Sequence, residues 1–174
     1  MKPEIRVPYF EIGTKNYVWG DKLLEYAIAA DKAAEKYDID VLFLVPALEV
    51  RRVAENTKNL KVFCTYMDTL RPGRGCADIL PEGVKDAGAI GVMINHCEKP
   101  MSLPQMKATI DRARELDMLV FAVKRTVMKV LGPHAPVPVG NRLTYTVGSI
   151  MDAVNVFIHK LFIKERPIRV HFTT

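Results

Sequence analysis

What this sequence lacks narrows its class before any motif is read. No apolar run approaches the roughly 18 residues that a membrane-spanning helix requires. The opening stretch MKPEIRVPYF has no apolar core of the kind a secretory signal carries, so a cytoplasmic location is expected. Cysteine is scarce: Cys64, Cys76 and Cys97 match no metal-ligand spacing and cannot all pair, so reduced thiols are expected. Neither internal repeats nor low-complexity segments stand out. Charge of one sign is not concentrated either. The net charge is +5, but Lys and Arg are scattered among Asp and Glu, which describes a solvated surface rather than a nucleic-acid-binding face. Nucleic acid and membrane are therefore not expected partners, and nothing calls for a metal or an organic cofactor.

What is present is an ordinary globular composition, 49% hydrophobic and 26% charged over 174 residues, enough for one well-buried domain. Apolar runs and amphipathic stretches alternate along it. Val7 to Ile12 reads as a first strand, closed by Gly13. GDKLLEYAIAADKAAEKY follows, with Leu23, Leu24, Ala27, Ile28 and Ala34 at helical spacing. Val41 to Val45 is a continuous apolar run ended by Pro46, which suits a buried parallel strand. Leu48 to Thr57 reads as a helix and Lys61 to Cys64 as a third strand. A further helix starts near Pro81 and stops before Gly88.

Ile90 to Ile94 is the fourth strand. Ser102 and Gln105 form a capping box for a helix running to about Leu116, and Met118 to Ala122 is the fifth strand. Alternation with short connections implies a parallel sheet with right-handed crossovers. Periodicity alone does not separate a closed barrel from an open doubly wound sheet.

The end of the fourth strand carries the chemistry. In GVMINHCEKP an apolar run stops at Asn-His-Cys-Glu, and in parallel α/β folds sites are built at the carboxyl ends of strands. His96 and Glu98 are the candidates there. Alone, a histidine at a strand end is more often a polar boundary residue, and a lysine such as Lys15 is more often a surface charge.

Together these segments resemble the triosephosphate isomerase family over about residues 9 to 122. INHCEKPMSL is similar to the family's Asn-His-Ser-Glu motif after the fourth barrel strand, and YMDTLRPGRGCADILPEGVKDAGAIGVM to its third loop, helix and fourth strand. Lys15 in GTKNY stands where the family keeps a substrate-site lysine. YVWGDKLLEYAIAAD and RPGRG are similar to a subgroup acting on other short sugar phosphates, such as erythrulose phosphate. The resemblance implies an aldose–ketose isomerase with a small phosphorylated sugar as substrate, and it admits a homodimer. In that reaction a base removes a carbon-bound proton while an electrophile and a cation stabilise the enediolate. In triosephosphate isomerase a glutamate base and a neutral histidine divide that work. By resemblance His96 is the electrophile, Lys15 the substrate-side cation, and Glu98 a group that pairs with or orients them.

The pattern departs from the family in places. Gly13 stands where the family has asparagine, removing a side-chain donor, and Cys76 where an interface threonine is usual. A complete (β/α)8 barrel has eight units in about 250 residues. Here about five units are legible, and the pattern is lost after Ala122. Glu165, in IKERPIR, matches neither the spacing nor the flanks of the family's base. The expected architecture is thus α/β: a mostly parallel sheet forming part of a barrel over residues 1–122, and a divergent segment, 123–174, in the same compact unit. A helix over 149–163 is expected to cover the sheet's exposed inner face, with a last strand at Ile168 to Phe172. Two alternatives stand beside the isomerase: an inactive family member serving as a binding or association scaffold, and an open-sheet binding domain.

Overall fold

The computed structural model describes residues 3–123. Five strands and four helices alternate: β1 (Tyr9–Gly13), α1 (Gly20–Tyr37), β2 (Asp40–Val45), α2 (Ala47–Asn56), β3 (Leu60–Cys64), α3 (Pro81–Asp86), β4 (Gly91–Ile94), α4 (Leu103–Glu115) and β5 (Leu119–Ala122). All four strand pairings are parallel and the spatial order is β1-β2-β3-β4-β5. A doubly wound open sheet reverses its strand order at a switch point. Here each strand lies beside its predecessor without reversal, which is the winding of a (β/α)8 barrel, carried through five strands.

The faces of the sheet follow from the two-residue alternation of a strand. On β2, Val41, Phe43 and Val45 turn toward the helices and join Leu23 and Ala27 of α1, Val50 and Val53 of α2, and Met106 and Ala113 of α4 in the main core. Leu42 and Leu44 turn the other way and meet Phe63 and Met93 on the inner face, with Tyr9, Leu119 and Phe121 partly buried beside them. Interior β2 is buried along its whole length, whereas the outer strands β1 and β5 are mostly half-buried. Expectations for the tail helix over 149–163, the strand at Ile168 to Phe172, and Glu165 lie outside the described residues.

Local sequence explains the element ends. Ser102 Oγ accepts from the Gln105 N–H, and Gln105 Oε1 accepts from the Ser102 N–H at 2.8 Å, so the expected capping box starts α4. Pro81 occupies the first turn of α3, and Gly88 takes φ +100° just beyond its end. In α1 the buried stripe is Leu23, Ala27, Ala30 and Ala34; Ile28, expected within it, lies on the flank and is 37% exposed. The first strand starts at Tyr9 rather than Val7, which is 70% exposed, because Pro8 has no N–H to give a ladder. Gly91 is forced by packing: a Cβ there would lie 2.2 Å from the Phe63 ring, which fills the inner face beside it.

A candidate functional site at the strand ends

The site begins where β1 stops. Thr14 is buried and its N–H donates to the Leu44 carbonyl at 3.2 Å, prolonging the β1–β2 ladder by one step. Its hydroxyl donates to the same carbonyl at 3.3 Å. With the exit clamped, Lys15 turns the chain sharply in the left-handed region at φ 53°. That conformation is uncommon for a residue with a side chain and marks a held geometry.

A parallel device ends β4. Asn95 also lies in the left-handed region, at φ 59°, and is 2% exposed. Its Oδ1 accepts from the Met101 N–H at 3.1 Å, tying together the two ends of the loop that leads into α4. Within that loop the Lys99 N–H donates to the His96 carbonyl at 2.9 Å. His96 and Glu98 are thereby presented on a short, cross-braced turn.

The two strand ends converge. Lys15 Nζ lies 2.8 Å from His96 Nε2 and 3.1 Å from Glu98 Oε2. The Lys15 and His96 side chains are 18% and 12% exposed, whereas Glu98 is 65% exposed and closes the group from the solvent side. The backbone N–H of Glu98 donates to His96 Nδ1 at 3.1 Å. Nδ1 is then an acceptor, so a neutral ring carries its proton on Nε2. Nε2 and the lysine ammonium stand at hydrogen-bond distance from each other, and a ligand oxyanion that parts them would accept from Nε2–H and the ammonium together.

The three residues singled out from the sequence, Lys15, His96 and Glu98, are thus brought together. Two further residues belong to the same neighbourhood. Asn95 braces the loop, and its Nδ2 is buried with no hydrogen-bond partner among the described residues. Glu11 sits on the inner face of β1, where burial pushes its carboxyl up to about 7 against the opposing pull of Lys15. The signal was present in YFEIG, since alternation places Glu11 and Gly13 on one face, but only burial shows that the carboxyl is not simply solvated. Of the three cysteines, one is in the core. Cys64 is buried, donates to the Tyr66 carbonyl at 2.9 Å, and has its thiol pushed up to about 11 by burial. Cys76 and Cys97 are exposed, the latter with Sγ 3.8 Å from His96 Nδ1. Among the described residues no group of three or more His, Cys, Asp or Glu is arranged to hold a metal ion. No described helix is long and apolar enough to cross a membrane.

Comparison with known proteins places this geometry. The family model described as triosephosphate isomerase matches residues 14–122. The triosephosphate isomerase of Sulfolobus acidocaldarius is 31% identical over 118 residues, covering 68% of this chain and 50% of its own. That of Methanocaldococcus jannaschii is 33% identical over 105 residues, covering 60% and 48%. The chain therefore spans about half the length of the relatives it matches. The crystal structure of triosephosphate isomerase from Bartonella henselae superposes with a TM-score of 0.55 at 22% identity, over 66% of this chain and 50% of that one, and shares the fold. The matched span runs from the residue that clamps the exit of β1 to the last residue of β5, and so contains both strand ends that carry Lys15 and His96. This chain belongs to the triosephosphate isomerase family.

Proposed function

We propose that these strand ends are the electrophilic half of an aldose–ketose isomerase site for a short phosphorylated sugar. The observation that carries the reading is the convergence of Lys15 Nζ and His96 Nε2 at 2.8 Å from strands far apart in sequence. Moving a carbonyl by one carbon proceeds through an enediolate, whose developing negative oxygen needs donors that are already in place. His96 supplies a neutral N–H, Lys15 an ammonium, and Glu98 holds the ammonium toward the histidine. The reaction also needs a base to take the carbon-bound proton. None of these three is free for that role, because Glu98 is committed to Lys15 and faces solvent.

Family membership supports the reading, as does the name triosephosphate isomerase carried by its relatives. A homodimer is the assembly we propose, and a cytoplasmic setting suits a phosphorylated substrate and reduced thiols. The test is interconversion of dihydroxyacetone phosphate and glyceraldehyde 3-phosphate, with erythrulose phosphate as the longer alternative, in the full chain and in Lys15→Met and His96→Gln. Turnover abolished by either substitution supports the proposal. Turnover equal in all three chains overturns it. Binding of these sugars without turnover would assign the chain to the scaffold alternative.

A further inference from the structure

The family's asparagine before the site lysine is replaced here by Gly13, which removes a donor from the mouth of the sheet. A Cβ built on Gly13 would stand 3.3 Å from Glu11 Oε1, so the Glu11 carboxyl lies along the inner face of β1 against the place where a side chain at 13 would begin. Both residues lie on that face because they are two apart in one strand, opposite Leu42 and Leu44 of β2. Among the described residues no hydrogen bond holds the carboxyl, and the charge acting on it is Lys15.

Resting on the sugar-phosphate reading above, we infer that Glu11 is a further ligand-binding residue of this site. In its neutral acid form it supplies the hydrogen-bond donor that Gly13 cannot. The carboxyl's surroundings favour that form. Leu42, apolar, is its register partner on β2; His96 and Glu98, from the β4–α4 loop, engage the Lys15 amine. Lys15 favours the anion, but burial outweighs it and holds the group near pH 7. A protonated carboxyl beside a lysine presents two donors to a bound oxygen. An ionised one would add a negative charge to a site for an anion. One group therefore both completes the site and makes its affinity depend on pH across the neutral range.

The experiment uses glycerol 3-phosphate, which has the carbon skeleton of a triose phosphate but no carbonyl, and is not turned over. It is titrated into the full chain and into Glu11→Gln at pH 6 and pH 8. Glutamine keeps a neutral N–H donor at both values, and the ionisation of the ligand's own phosphate is common to both proteins. If the neutral acid is the binding form, wild-type affinity falls about tenfold more than that of Glu11→Gln between the two pH values, the change in neutral fraction for a group titrating near 7. Superimposable pH profiles overturn the role of Glu11 and leave the site reading intact. Failure of both proteins to bind at pH 6 overturns the site reading and this inference together. A carboxyl-carbon NMR titration of the unsubstituted chain gives an independent measure. Saturating glycerol 3-phosphate must raise the midpoint of Glu11, and an unmoved midpoint overturns the inference even if the variant does not fold.

Discussion

Lys15 Nζ lies 2.8 Å from His96 Nε2, although 81 residues of chain separate them. Each follows a strand end by two residues, and each is aimed by a left-handed turn, at Lys15 itself and at Asn95. With the proton on Nε2, the ammonium and Nε2–H face each other as donors, a contact that an accepting ligand oxygen would relieve, while Glu98 at 3.1 Å pairs with the ammonium. Replacing Lys15 with Met keeps the stem and deletes the charge. Isomerisation and glycerol 3-phosphate binding are expected to weaken together, the rate by about 10²-fold or more, as for the loss of one preorganised donor. Steady-state kinetics and an NMR titration check both, and an unchanged rate would remove Lys15 from the site.

Glu11 predicts an unusual slope of stability with pH. Its carboxyl is raised from 4.5 to about 7 in the folded chain by burial. Between those values the folded state binds more protons than the unfolded one, so stability falls as pH rises through that window and levels off above about 7. The full span corresponds to at most about 3 kcal/mol. Glu11→Gln removes this contribution, so its urea midpoint is expected to exceed that of the wild type at pH 8 and to approach it near pH 5. A wild-type profile that is no steeper than the variant's across this range counts against a half-buried Glu11 that Lys15 offsets only in part.

Gly91→Ala tests the packing that sets the β3–β4 junction. The added methyl would fall 2.2 Å from the buried Phe63 ring, which Leu42, Leu44 and Met93 surround. Overpacking of this kind costs about 1–3 kcal/mol. Because β4 leads directly to His96, the expected signature is a lower thermal midpoint with weaker ligand binding. A Gly91→Ala, Phe63→Leu double variant should recover part of both.

Ser102→Ala should act on stability and little else. It removes the hydroxyl that accepts from the Gln105 N–H at the start of α4, a loss of about 1 kcal/mol. Denaturant unfolding should show the midpoint shift at an unchanged m-value, since the same surface is exposed on unfolding. A loss above about 3 kcal/mol would mean that the β4–α4 loop, with its Asn95 tie, unfolds along with the cap.

The sequence by itself determined what depends on near neighbours. The span of α1 was legible from Gly20 and the helical spacing, that of α4 from Ser102 and Gln105, and β2 from its unbroken apolar run. These are choices made within about one or two turns of chain, where propensity and capping act. His96, Lys15 and Glu98 were legible for a different reason, because the residue types match a family pattern at the ends of predicted strands. Tertiary structure alone decided the rest. Ile28 fits the helical stripe but lies on its flank, because α1 packs into the core through Leu23, Ala27, Ala30 and Ala34. The half-burial of Glu11 depends on the register that sets it opposite Leu42, and the Lys15–His96 contact on the three successive parallel pairings from β1 to β4. A pattern along the chain says which face a side chain takes; the distance between side chains from β1 and β4 is a sum over strands, and exists only once the sheet has formed.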